Sequence, residues 1–398
     1  MARALRNSAN LSSNALKRIQ TPSNAYKSTD NLHKNPSSLY TFRQTMLQSL
    51  NHLEPTRFET TAILKAVAAA GRALAELKGA VGTIPQQNIL ISTLTIQEAK
   101  DSSEIENIVT THDQLYQRES AEGDAMNAAT KEVLLYREAL WTGYQTVKTT
   151  GLLTNNHLLD IQAVLEANRA GFRKVPGTTL KNRAGEVIYT PPQSGPEVEA
   201  LMAELEKFIH AEPPFDADPL VRMALIHHQF ESIHPFYDGN GRTGRILNVL
   251  YLVKEGLLDV PVLYLSRHIV RTKADYYRLL QAVRERDAWE EWVLYMLTAV
   301  ESTARDATLT VALIRDALLD AKHRIRSRFR FYSQDLINNL FTHPYTKIAF
   351  VERDLKVSRL TATRYLDELA EGGFLEKRKI GRNNYYLNQP LIRILTRD

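Results

Sequence analysis

The chain has 398 residues, enough for two or three domains with a substantial buried core. Its hydrophobic fraction of 43% and charged fraction of 24% are those of ordinary globular proteins. No window approaches the roughly 18 consecutive apolar residues of a membrane span, and the lack of cysteine excludes disulfides and thiolate metal sites and agrees with a reducing cytoplasm. The net charge of +5 is unevenly spread. Residues 1–36 carry six Lys/Arg against the single Asp30, and residues 321–398 carry sixteen against eight acids, so the stretch between them is acidic. Basic ends on an acidic body suggest an appended anion-binding unit.

Residues 1–36 are rich in Ser, Asn, Lys and Arg without an apolar period, the pattern of a disordered basic tail on a bacterial cytoplasmic protein. Their Arg- and Ser-rich, acid-poor start is shared with organelle transit peptides, and no secretory hydrophobic core is present. Ile63, Val67, Ala70, Leu74 and Leu77 form one apolar stripe, which predicts a helix over 58–78. Gly79, Gly82 and Pro85 then interrupt, and a second helix is expected over 92–111. Residues 125–170 continue helical, whereas Gly171 to Pro192 reads as a β-hairpin around Asn182-Arg183-Ala184-Gly185. Helices are expected at 196–210, 218–232, 243–255, 273–299 and 304–330. The one at 243–255 is apolar over most of its circumference, as a buried central helix would be.

Between two of these helices lies His234-Pro235-Phe236-Tyr237-Asp238-Gly239-Asn240-Gly241-Arg242-Thr243-Gly244-Arg245. Paired glycines at a helix start allow successive backbone N–H groups to converge on one anion, aided by the positive end of the helix dipole. Arg242 and Arg245, three apart on that helix, can hold further phosphate oxygens. Asp238 would repel a polyphosphate unless it shares Mg²⁺ with it. His234 has the near-neutral pKa that suits taking a proton from a hydroxyl. Each feature alone has a structural explanation, but their coincidence in twelve residues favours a nucleotide site.

The segment matches at every fixed position the signature His-x-Phe-x-(Asp/Glu)-Gly-Asn-Gly-Arg-x-x-Arg, and the chain resembles the Fic family. The resemblance implies a mainly α fold: a Fic helical bundle with a β-hairpin flap, an N-terminal helical domain and a C-terminal winged helix. It implies a protein adenylyltransferase that moves AMP from ATP to a Ser, Thr or Tyr hydroxyl of a target protein or of itself, with Mg²⁺ as cofactor. Carried over, His234 is the general base, Phe236 a core anchor and Asp238 the metal ligand. Gly239, Asn240 and Gly241 line the phosphate nest, with Asn240 near the α-phosphate, and Arg242 and Arg245 meet the distal phosphates. Gly177, Thr178, Thr179 and Leu180 fall in the flap, which aligns the target by strand addition. Tyr276 and Tyr277 stand where the family often has aromatics facing adenine, although they are equally readable as core-facing residues. Arg284 stands where some relatives have Asn, and its role is open.

Ser102-Ser103-Glu104-Ile105-Glu106-Asn107 resembles the family's inhibitory motif, (Ser/Thr)-x-x-x-Glu-(Gly/Asn), through Ser102, Glu106 and Asn107. A carboxylate paired with Arg245 would withhold that arginine from the γ-phosphate and repel the phosphate itself. The expected relative is therefore of the class with an N-terminal inhibitory helix. In some relatives the same glutamate removes AMP, so de-AMPylation is the alternative reading within the enzyme class.

After Ser333 the chain reads helix, helix, then two strands, a winged-helix pattern. Ser358 would cap a helix over 359–370 with Leu360, Leu366 and Leu369 inward, and Lys377, Arg378, Lys379 and Arg382 cluster near the wing. That charge suits DNA, and winged helices also dock proteins or dimerise, so an ATP-sensing DNA-binding regulator is the competing function. The expected division is a tail (1–36), an N-terminal helical domain with the inhibitory helix (37–120), a Fic domain (121–300), a connecting helix (301–330) and a winged helix (331–398). The resemblance also implies a homodimer.

Overall fold

A computed structural model describes residues 47–119, 127–182, 184–380 and 383–397. The expected basic tail, Arg183 of the hairpin turn and Arg382 of the wing lie outside the described residues.

Helix α1 (Thr61–Gly82) begins where the Thr60 side chain accepts a hydrogen bond from the Ile63 amide, and it buries Ile63, Ala70, Leu74 and Leu77. Helix α2 (Asn88–Ile105) starts earlier and stops sooner than expected, because Asn107 takes a left-handed φ of 65° that ends the helical run. A short α3 (His112–Glu119) leads to the paired helices α4 (Ala128–Thr150) and α5 (Asn155–Leu165). The hairpin follows as β1 (Leu180–Lys181) and β2 (Val187–Tyr189), antiparallel with Leu180 opposite Tyr189. Helices α6 (Gly195–Ile209) and α7 (Pro219–Ile233) both begin with a side-chain cap and a proline in the first turn.

Helix α8 (Asn240–Lys254) is the centre of the bundle. Apart from Gly241 and Lys254 every residue is buried, and α4, α5 and α7 pack around it. Helices α9 (Leu265–Arg271) and α10 (Lys273–Arg286) follow, and Asp287 at φ 58° breaks the chain before α11 (Trp289–Arg328). The sequence suggests a break near residue 300, but α11 runs through it. The hydroxyls of Ser302 and Thr303 bond back to the Ala299 carbonyl, which removes the competition that polar side chains usually offer a helix. Helix α11 packs along α1 and against α7, to which Trp292 donates a 2.8 Å hydrogen bond at the Ala224 carbonyl.

The C-terminal part runs α12 (Gln334–Thr342), β3 (Tyr345–Thr346), α13 (Ile348–Leu355), α14 (Arg359–Glu371), β4 (Glu376–Ile380), β5 (Asn383–Leu387) and α15 (Gln389–Leu395). Its sheet has the order β3-β5-β4, all antiparallel, one strand more than the two expected. Leu366 and Leu369 point inward with Ala362, but Leu360 is exposed. Six residues before Leu366 it falls well off the helix's buried stripe. This part rests on α2 and the segments that flank it: Gln97 of α2 donates to the Leu395 carbonyl at 2.8 Å, Asn338 donates to Gln86 just before α2 at 3.2 Å, and Tyr116 of α3 stacks on Tyr345. Among the described residues no helix is long and apolar enough to cross a membrane.

Trp292→Ala should lower unfolding free energy by about 3–5 kcal/mol through lost burial and the lost hydrogen bond to the Ala224 carbonyl. Leu309→Ala, on the exposed side of α11, should change it by less than about 0.5 kcal/mol. Urea denaturation of both variants checks the assignment.

Candidate active site

Helix α7 ends at His234, whose φ of 50° turns the chain out of the helix just before Pro235. The loop to α8 is held from within. Phe236 is buried, its amide donates to Asn240 Oδ1 at 2.8 Å, and Asn240 Nδ2 returns a 2.9 Å bond to the Phe236 carbonyl. The Asn240 side chain thus closes the loop. What Asn240 can offer a phosphate is its backbone N–H. Gly239 sits at φ 76° and provides no side-chain cap, so the first N–H groups of α8 keep their capacity to bind an anion. A Cβ on Gly241 would lie 2.8 Å from both Arg245 Nη1 and Glu106 Oε1, so only glycine lets these groups close over the helix start.

Glu106 is the C-cap of α2, one residue beyond the helix. Its Oε1 accepts from Arg245 Nη2 at 2.7 Å, and its Oε2 lies 2.9 Å from Arg242 Nε, an ion pair without hydrogen-bond alignment. Arg245, 2% exposed, also donates from Nε to Ser102 Oγ at 2.8 Å and from Nη2 to the Ser102 carbonyl at 2.9 Å. Burial alone would weaken this guanidinium's hold on its proton, but Glu106 beside it more than reverses that, and its pKa is raised. Asn107 owes its residue type to its positive φ, which asparagine tolerates better than most residues, and its side chain accepts from Lys273. Arg242, 4% exposed, reaches Glu132 at 3.2 Å and Glu166 at 2.9 Å besides Glu106. Neither Glu132 nor Glu166 carries a sequence signal, because each meets Arg242 only through the packing of α4 and α5 on α8.

Helix α2 is itself fixed by buried Glu98, which accepts from the Ser266 amide and hydroxyl and from Tyr136. Burial pushes its carboxyl up to about 8. Behind Arg245, Glu231 is buried and lifted to about 7 by that burial, against the lowering effect of Arg245 and Arg284. Tyr276 and Tyr277 separate. Tyr276 is 1% exposed and bonded to His227 at 2.9 Å, so it belongs to the core, while Tyr277 is 44% exposed.

At the flap, Gly177 at φ 112° donates to Gln193 Oε1 at 2.7 Å, and Gln193 Nε2 donates to the Thr178 carbonyl at 3.0 Å. Thr179 is exposed and Leu180 starts the strand. Arg173, Tyr189, Gln281 and Arg284 gather at the flap's base. Sequence reasoning does not single out Arg173 or Gln281. Isolated polar residues on the flanks of a hairpin carry no motif.

Asp238 accepts from the Gly239 amide at 2.7 Å, and its side chain is 78% exposed. Among the described residues no group of three or more His, Asp or Glu is arranged to hold a metal. A lone exposed carboxylate beside an anion nest fits Mg²⁺ that completes its shell with phosphate oxygens and water.

Three family profiles match the chain in order. One described as Fic/DOC family N-terminal covers residues 64–145, one described as Fic/DOC family covers 152–252, and one described as Protein adenylyltransferase SoFic-like, C-terminal domain, covers 319–391. The chain belongs to the Fic family. Protein adenylyltransferase Fic of Culex quinquefasciatus is 31% identical over 144 residues, which is 34% of this chain and 27% of that protein. The Aedes aegypti protein of the same name is 25% identical over 264 residues, 62% of this chain and 46% of its own length, so the match spans less than half of either relative. A Fic family protein from Desulfovibrio desulfuricans G20 shares the fold with a TM-score of 0.52 at 22% identity, over 82% of this chain and 96% of that one. A Fic domain containing signaling protein from Bacteroides thetaiotaomicron shares it at 0.52 and 16%, over 62% and 97%.

In this Fic protein, burial, reinforced by Arg173 and Arg284, pushes the His234 imidazole down to about 4, against the opposing pull of the Glu231 carbonyl and Asp238. The ring is therefore neutral through pH 5–8 and gains its proton only as pH falls through about 4. Histidine-ring NMR should show that midpoint. A value near 6.5 would contradict the burial described.

Proposed function

We propose that this chain is a protein adenylyltransferase that moves AMP from ATP to a Ser, Thr or Tyr hydroxyl of a target protein and of itself, restrained in cis by Glu106. The observation that supports it most is the contact of Glu106 with both Arg245 and Arg242 at the start of α8. An anion already stands where a polyphosphate would be held.

With Glu106 withdrawn, Arg242 and Arg245 meet the distal phosphates, and the amides from Asn240 to Arg242 hold phosphate oxygens. Neutral His234 takes the proton of the target hydroxyl, whose oxygen forms a bond to the α-phosphorus. The bond from that phosphorus to the bridging oxygen breaks, and pyrophosphate leaves with the electron pair. Asp238 would hold Mg²⁺, which supplies charge neutralisation for the phosphates. Tyr277, the exposed member of the tyrosine pair, would be the one to meet a nucleobase. The work divides as the sequence suggests, with the brake in 37–120, transfer in 121–300 and a docking or sensing role in 331–398.

De-AMPylation through Glu106 is the weaker reading. Both of its oxygens are engaged by guanidinium groups, which leaves neither placed to orient a water. At the wing, Lys377 pairs with Asp367 at 2.7 Å and Arg378 with Glu376 at 2.8 Å, so neighbouring acids offset cations that a DNA site would need.

The test is self-modification with labelled ATP. Glu106→Gly should raise labelling by about tenfold or more, since restoring alignment of a reacting group is worth orders of magnitude in rate. His234→Ala in the same background should abolish it. Equal labelling with and without Glu106 would remove the brake, and labelling that survives loss of His234 would remove the base.

A further inference from the structure

The end of α7 carries a second arrangement, which concerns how the base and the flap are held together. A helix that stops leaves its last carbonyls without intrahelical donors. Here the donors come from the flanks of the flap. Arg284 Nη2 donates to the Glu231 carbonyl at 3.3 Å, and the Tyr189 hydroxyl to the Ser232 carbonyl at 3.0 Å. Arg173 Nη2 donates to the Ile233 carbonyl at 3.1 Å and Arg173 Nε to the His234 carbonyl at 2.7 Å. The Arg173 amide adds a 2.8 Å bond to the Pro235 carbonyl. Five successive carbonyls around the base are thus satisfied by Arg173 before the hairpin, by Tyr189 in β2, and by Arg284, which braces β2 from α10.

Arg284 does more than cap. Its guanidinium carbon lies 4.0 Å from the centroid of the Tyr189 ring, a cation–π stack, and its Nε donates to Ser232 Oγ at 3.1 Å. One turn earlier on α10, Gln281 donates to the Ile188 carbonyl of the same strand at 3.0 Å. The two cations also sit at the negative end of the α7 dipole, where positive charge is favoured. Arg173 is 1% exposed, so nothing in solvent competes for its bonds.

We propose that Arg173 and Arg284 are positioning residues that fasten the two sides of the flap to the last turn of α7, so that flap and His234 move as one rigid unit. The proposal rests on the adenylyl-transfer reading for its consequence. A target segment aligned on β2 would then have its hydroxyl registered against the imidazole, and loosening the tether would cost transfer without costing nucleotide binding. The planar guanidinium matters as well as its charge, since an ammonium can neither fork between Ser232 and Glu231 nor stack flat on Tyr189.

The experiment uses the full chain carrying Glu106→Gly as parent, with Arg284→Gln, Arg284→Lys and Arg173→Lys added singly. Initial rates of self-modification are measured across ATP concentrations, and amide hydrogen exchange is followed over residues 177–190. We expect Arg284→Gln to lower kcat by about tenfold with KM for ATP within about twofold, as lost alignment does. Flap exchange should quicken by about tenfold while α1 and α11 keep their protection. The two lysine variants should fall between parent and Arg284→Gln in both measures. Unchanged flap exchange would overturn the tether, as would a rate loss matched by an equal rise in KM. If the parent itself transfers no AMP, the adenylyl-transfer reading fails while hydrogen exchange still decides whether the arginines fasten the flap.

Discussion

The buried guanidinium of Arg245 is the group on which the site depends. Removing a charge from water costs several kcal/mol unless it is paired and hydrogen-bonded. Arg245 meets that demand with Glu106 and with the hydroxyl and carbonyl of Ser102. The pairing also joins two helix ends of opposite polarity. The carboxylate lies at the N-terminal end of α8, and the guanidinium lies at the C-terminal end of α2. Each charge stabilises the dipole of the other's helix, so the closed arrangement is favoured by more than one ion pair.

That demand can be met by another anion. A γ-phosphate would satisfy Arg245 as well as a carboxylate does, and it would bring charge to the same amides of α8. The balance between the two then depends on how firmly α2 is held. Glu98 fastens it to Ser266 and Tyr136, and the C-terminal part leans on it through Gln97 and on its flanks through Gln86 and the Tyr116–Tyr345 stack. Glu106 itself lies past the last helical residue, next to a left-handed Asn107, and the amides of Glu106, Asn107 and Ile108 bond back to the carbonyls of Ser103 and Glu104.

Much of the site was legible because its main parts are contiguous. His234, the glycine pair and the two arginines lie within twelve residues, and their chemistry follows from residue type and spacing. The bundle was legible too, since apolar stripes such as Ile63 to Leu77 depend only on helical period. Tertiary placement was not. Glu132, Glu166, Arg173 and Gln281 act through contacts about 60 to 110 residues or more away, and no local pattern marks them. Tyr276 and Tyr277 are alike in sequence, and only the packing of His227 against the first separates core from surface. The end of α2 at Ile105 and the unbroken α11 were missed for opposite reasons. A left-handed asparagine stopped one helix early, and hydroxyls bonded to their own backbone carried the other past a polar run.

The central claim is that Glu106 and a γ-phosphate compete for Arg245. Calorimetric titration of ATP and ADP into the wild-type chain and into Glu106→Gly tests it most directly. The account predicts that the wild type binds ATP no more tightly than ADP, because the arginine that would reward the extra phosphate is taken, and that Glu106→Gly binds ATP about tenfold more tightly than ADP, the worth of about 1.4 kcal/mol. An ATP-to-ADP ratio that is the same in both proteins would contradict it.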